Sequence, residues 1–155
     1  MVIIGFDPGS IAFGVGIVGM QNKNISYIHA ETIRLTATAF YMRMQTLCAV
    51  LTQLINQYAP ETAALEEGFL GKNTHSMSIL AMVRGVVMGQ LIERHIPLAC
   101  YAPREIKKSL TGYGQASKEQ VQKMVLTLLK IGKNAMTTDA SDALAVAYCH
   151  ALMQK

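Results

Sequence analysis

Four carboxylates stand where their company needs explaining. Asp7 ends an apolar run, Ile3-Ile4-Gly5-Phe6, and is followed at once by the turn formers Pro8-Gly9-Ser10. Glu66 ends a second short apolar stretch, with Glu67 beside it. Asp139 and Asp142 open the last apolar segment three residues apart, hence on one helical face. Singly, each has an ordinary explanation. Asp7 could open a turn, and one of the adjacent glutamates must face away from the other if the strand continues. Asp139 suits a helix N-cap or first turn, and Asp142 suits the helix dipole. Jointly, strand ends and a helix start can converge on one edge of a sheet. Carboxylates gathered there repel one another unless a cation neutralises them, and an all-oxygen donor set suits Mg2+ or Mn2+.

The elements that would position them can be read from periodicity. Residues 2–7, 12–20 and 25–35 read as strands, the last two joined as a hairpin through the polar turn Gln21-Asn22-Lys23-Asn24. Phe40, Met44, Leu47, Cys48, Leu51, Leu54, Ile55 and Tyr58 recur at helical spacing, so an amphipathic helix is predicted up to Pro60. Residues 62–66 form a short buried strand. A helix over 75–95 is apolar nearly all round, which predicts burial on more than one side, under the sheet or at a subunit contact. Its Gly85 and Gly89 permit close backbone approach, with helix–sheet packing an equal explanation. A fifth strand is predicted over 97–102, then a short helix with Pro103 in its first turn. Ser117 should cap a helix running to Lys130, and a last helix spans about 139–152. Three early strands followed by strands alternating with helices predict an α/β domain with a mixed sheet. Its first three strands would be antiparallel and its later two parallel.

Composition sets bounds on partners. The 155 residues fit one domain with a full core. At 51% hydrophobic and 15% charged the chain is apolar enough that a self-association surface is expected. No uninterrupted apolar run reaches bilayer length, and the N-terminus lacks the pattern of a signal peptide. Cys48, Cys100 and Cys149 are odd in number and widely spaced, as expected of reduced thiols in the cytoplasm rather than zinc ligands. Net charge is +4, but residues 101–134 alone carry +5 and the remainder −1. A basic segment beside a slightly acidic remainder points to a polyanion, nucleic acid first, although charge alone also fits a solvated helix face.

The blocks "GFDPGSIAFGVGIV", "ALEEGFLGKN", "RGVVMG", "YAPREIKKSLTGYGQASKEQVQKMVLTLLK" and "DASDALAVAYCHA" resemble the RuvC Holliday junction resolvases in order and spacing over nearly the whole chain. The first block alone is shared with the wider ribonuclease-H-like superfamily and with actin-like ATPases; the set is specific. The resemblance implies a ribonuclease-H-like fold, a five-stranded mixed sheet flanked by helices, in a single nuclease domain over 1–155. It implies a structure-selective endonuclease that resolves four-way DNA junctions by paired symmetric nicks, in recombination and repair. Two Mg2+ ions per subunit, with Mn2+ as a substitute, would assist hydrolysis to a 5′ phosphate and a 3′ hydroxyl. Asp7, Glu66, Asp139 and Asp142 match the family's catalytic, metal-binding carboxylates. The glutamate after an apolar pair selects Glu66 over Glu67. Lys107 and Lys118 match its catalytic-face lysines, and Phe69 matches an aromatic of its junction-facing loop. Lys72, Asn73, Arg84, Arg104 and Lys108 fall at DNA-contact or loop-shaping positions. A homodimer, with the 75–95 helix as its interface, and a branch-migration motor are the implied partners; no membrane is.

This chain departs from the family pattern at Glu67, where a neutral Gln is common. It also departs at Gly68 and Gly71 in the loop bearing Phe69, and at Tyr113 between two glycines. Three other readings compete. An actin-like ATPase would need a second lobe for which the chain is too short. A non-catalytic junction-binding module would be marked by a lost carboxylate, and none is lost. A ribonuclease-H-like nuclease acting on other branched DNA or on RNA shares every feature above.

Overall fold

In the computed structural model, which describes residues 1–68, 74–132 and 136–154, the apolar run before Asp7 becomes the central strand of a mixed sheet. This strand, β1 (Val2–Asp7), is covered on both faces, and so its sequence reads as a near-continuous apolar run rather than an alternation. On one side it pairs antiparallel with β2 (Ala12–Gln21), which pairs antiparallel with β3 (Asn24–Arg34). On the other it pairs parallel with β4 (Thr62–Glu66), which pairs parallel with β5 (Leu98–Tyr101). The order is β3-β2-β1-β4-β5, a five-stranded mixed sheet with the predicted strand directions. The β2–β3 turn takes Asn22 and Lys23 at positive φ, the backbone of a two-residue hairpin turn matched to strand twist.

Helices cover both faces. On one lie α1 (Phe40–Tyr58) and α2 (Thr74–Glu93), where Leu47, Leu51, Val83, Val87 and Leu91 pack with Ile4, Phe6, Val15, Ile17 and Leu65. On the other lie α3 (Pro103–Thr111), α4 (Lys118–Leu128) and α5 (Thr138–Met153), packed with Ile3, Val18 and Ala64. Pro103 opens α3, and Ser117 caps α4 by accepting from the Gln120 N–H at 3.2 Å. Two helices end two residues before the sequence boundary, because His95 and Lys130 turn into the left-handed region and the chain folds back to the Leu91 and Leu126 carbonyls.

The helix α2 corrects one expectation. Val83, Val87 and Leu91 form its one buried stripe, and Met82 and Ile92 are exposed. A methyl group added at Gly85 or Gly89 would meet nothing within 4 Å, so helix–sheet packing does not explain these glycines. Among the described residues α2 is also a helix long and apolar enough to cross a membrane. Its place in the fold answers that: its buried stripe belongs to the same core as Phe6 and Leu65, and Arg84 in its middle donates to the Glu66 carbonyl.

Candidate active site

Strand alternation and register bring the first two carboxylates together. Gly5 and Ala64 are cross-strand partners, as are Phe6 and Leu65, so Asp7 and Glu66 are the next neighbours at the carboxyl ends of two parallel strands. Ile3 and Ala64 face α5, whereas Phe6 and Leu65 face α1 and α2. By the two-residue period Asp7 and Glu66 therefore look toward α5. The same rule sends Glu67 the other way, and it is exposed.

The helix α5 brings the other two. Its run of alanines lets it lie directly on the sheet. A Cβ at Gly5 would come within 2.5 Å of the Ala147 backbone nitrogen, and one at Gly14 would overlap the Asp139 carbonyl oxygen. Gly14 is the β2 partner of Asp7, so this close seat presses the first turn of α5 against the end of β1. Thr137 caps the helix, its hydroxyl paired with that of Thr32 on β3.

Asp7, Glu66 and Asp142 line one cavity of about 90 Å3 together with Lys107 of α3 and Lys118 of α4; Pro103, Ile106, Val121 and Ala145 form its apolar wall. Asp7 and Glu66 are also the partition to a neighbouring groove of about 170 Å3 lined by Pro8, Glu67, Gly68, Leu80 and Arg84. Asp139 does not line the cavity. It lies near enough to raise the pKa of both Asp7 and Asp142. Among the described residues no three of these acids stand in a ready-made ligating arrangement.

Burial, then the negative charges of Asp142 and Glu66, push Asp7 up to about 7, against the opposing pull of Lys118. Burial also raises Glu66, with Asp142 adding and Lys118, Lys107 and Arg84 opposing. Asp142 rises by burial, moderated by Lys118, which donates to its Oδ2 at 3.3 Å. That ion pair in turn lifts the Lys118 ammonium. Acids raised by burial and by one another's charge mark a site short of compensating positive charge. The donors are all carboxylate oxygens, with no nitrogen or sulfur, so the set fits a hard divalent cation.

The remaining expected positions divide. Arg84 serves the loop after β4, donating to the Glu66 carbonyl and lying beside Gly68. Arg104 and Lys108 are exposed on α3 outside the cavity, their stems against Gly114. Phe69, Lys72 and Asn73 lie outside the described residues. The apolar wall and the role of Gly14 were missed in the sequence; the signal for Gly14 was its place among the closely spaced glycines of "AFGVGIVG", opposite the alanines of "DASDALAVA".

Comparison with known proteins identifies relatives over nearly the whole chain. The family model described as crossover junction endodeoxyribonuclease RuvC matches residues 3–150. The RuvC of Christiangramia forsetii is 38% identical over 150 residues, covering 96% of this chain and 78% of that protein. That of Photobacterium profundum is 38% identical over 154 residues, covering 99% and 88%. The structure of Thermus thermophilus RuvC in complex with a Holliday junction superposes with a TM-score of 0.92 at 28% identity, covering 99% of this chain and 94% of that one.

Proposed function

The chain belongs to the RuvC family of crossover junction endodeoxyribonucleases, and from that membership we propose that it resolves four-way DNA junctions by hydrolysing phosphodiester bonds at the Asp7–Glu66–Asp142 cavity. The observation that carries this reading is the convergence of two strand-end carboxylates and one helix carboxylate in a cavity with two lysines. A fourth acid, Asp139, the second from α5, adds its charge from the cavity's edge.

The side chains divide the work. Asp7, Glu66 and Asp142, with Asp139 at the cavity's edge, would hold two Mg2+ per subunit or Mn2+ in their place. Bound there, the divalent cations would supply hydroxide near neutral pH and would stabilise the departing 3′ oxygen. Lys107 and Lys118 put positive charge on the cavity wall, where it offsets charge gathering on a phosphate oxygen in the transition state. Lys118 is held toward the cavity by its bond to Asp142. Pro103, Ile106, Val121 and Ala145 keep water from one side of the cavity and strengthen every charge interaction inside it. Arg104 and Lys108, exposed on α3, add positive charge suited to a phosphate backbone, so junction binding should weaken with salt. Phe69, Lys72 and Asn73 keep the DNA-facing roles that the family resemblance implies.

Symmetric nicks on opposing strands require two active sites, hence a homodimer. Met82, Gly85, Gly89 and Ile92 support α2 as its seam. They are exposed and spaced by three, four and three residues, the stripe along which two helices interlock. In this reading residues 1–155 act as one nuclease domain in the cytoplasm, fed by a branch-migration motor.

The test is a synthetic four-way junction labelled on each strand in turn. Paired nicks at symmetric positions are expected with Mg2+, none in EDTA, and an uncut linear duplex of the same sequence. Equal cutting of the linear duplex, or nicks that persist in EDTA, would overturn the reading.

A further inference from the structure

Arg43 is a half-buried cation that none of the roles above uses. It lies in the first turns of α1, on the sheet face opposite α5. Its Nη1 donates to the Ser10 carbonyl at 2.8 Å, across 33 residues of chain. Its guanidinium sits over the Phe40 ring, 5.4 Å from its centre. Its Nε is shielded from solvent and has no hydrogen-bond partner among the described residues. The guanidinium is held to the turn by its bond to the Ser10 carbonyl and rests over the Phe40 ring.

Ser10 belongs to the turn that leaves Asp7. The four residues between β1 and β2 are closed from three directions. Gly9 packs so tightly on the Ala12 carbonyl that a side chain there would overlap it. The Leu35 N–H donates to the Ile11 carbonyl at 2.7 Å. Arg43 anchors the Ser10 carbonyl between them. The first two contacts come from this turn and from the chain just after β3; Arg43 supplies the brace from α1. Asp7 is the last residue of β1, and Pro8 after it already lines the neighbouring groove, so the path of this turn sets where the carboxylate enters the cavity.

We propose that Arg43 is a positioning residue for Asp7: by holding the Ser10 carbonyl it locks the turn that aims the Asp7 carboxylate into the cavity. The inference rests on Asp7 acting in catalysis, as proposed above. The buried orphan Nε makes the two conservative variants informative. Arg43→Lys keeps one ammonium donor within reach of Ser10, and Arg43→Met keeps the stem without a donor.

The test compares wild type, both variants and Asp7→Asn for single-turnover cleavage of a four-way junction in Mg2+. Junction affinity is measured separately in EDTA, at a temperature where circular dichroism shows the proteins folded. Arg43→Met is expected to cut about tenfold to a hundredfold more slowly at saturating enzyme, the range for a displaced catalytic group, with junction affinity within about threefold of wild type, below the smallest step that one lost contact normally makes. Arg43→Lys should recover most of the rate. Four results would overturn the inference: wild-type cleavage by Arg43→Met, equal slowing by both variants, a loss of junction affinity that matches the loss of rate, or failure of Arg43→Met to fold at all. Near-normal cleavage by Asp7→Asn would instead sink the underlying assignment of Asp7 and leave its mark apart from any Arg43 result.

Discussion

Asp7→Asn should stabilise the protein while disabling it, and the size of the effect follows from the cavity. In the fold Asp7 is raised from its ordinary 3.8 to about 7 by burial and by Asp142 and Glu66. Between those two values the folded chain binds a proton that the unfolded chain has lost, so the stability Asp7 permits is full below 3.8 and declines as pH rises through 7. The rise corresponds to a ceiling of about 4 kcal/mol at pH 8 and well under 1 kcal/mol at pH 4. An asparagine fills the same space without the charge. In EDTA at pH 8 the variant should gain at least about 1 kcal/mol, a few degrees in melting temperature for a chain of this size. The gain should shrink toward zero at pH 4. Adding Mg2+ should raise the wild-type melting temperature, because a ligand of the folded state alone stabilises it, and should narrow the difference between the two proteins. Scanning calorimetry at the two pH values, with and without Mg2+, is the assay. A variant that melts at or below wild type in EDTA at pH 8, or whose gain is the same at pH 4, would refute the claim that uncompensated negative charge is concentrated at Asp7.

Other outcomes follow from single contacts. His150 is buried, its Nδ1 2.7 Å from the Tyr101 hydroxyl and its Nε2 2.9 Å from the Thr62 hydroxyl. Burial holds its pKa below the ordinary 6.5, so stability should fall as pH drops below 6.5; denaturant titrations should show that this acid-side loss is flatter in His150→Gln. Gly14→Ala would drive a methyl group into the Asp139 carbonyl, so it should cost roughly 1–3 kcal/mol or more in denaturant unfolding and should slow junction cleavage with it. Ile92→Glu places a charge in the exposed α2 stripe away from the cavity; light scattering should report a monomer, and the paired nicks should become uncoupled single nicks.

Much of the fold was legible because its signals are local. The apolar run before Asp7, the positive-φ turn at Asn22-Lys23 and the Ser117 cap each depend on a few adjacent residues. The site was legible only as a list of acids. Nothing in the residues near Asp7 states that Gly5 pairs with Ala64, yet that register is what sets Asp7 beside Glu66 and turns Glu67 outward. Likewise Asp139 and Asp142 share a helical face, but it takes the bare backbone at Gly14 to bring α5 down onto β2, and the result admits Asp142 to the cavity while leaving Asp139 at its edge. For α2 the sequence left two alternatives open for a related reason. An all-round apolar sequence looks the same whether the second face is covered by the chain itself or left for another copy, and here Gly85 and Gly89 open outward. The groove beyond Asp7 and Glu66 arises from the path of Arg84 back to the Glu66 carbonyl, a contact across 18 residues that no spacing rule predicts.

The central claim is that the Asp7 carboxylate is indispensable to cutting and dispensable to binding. Wild type and Asp7→Asn should be compared on one four-way junction, by gel retardation in EDTA and by strand cleavage in Mg2+. The account predicts equal retardation, paired nicks from wild type and none from the variant. Cleavage by Asp7→Asn at a near-normal rate would contradict it.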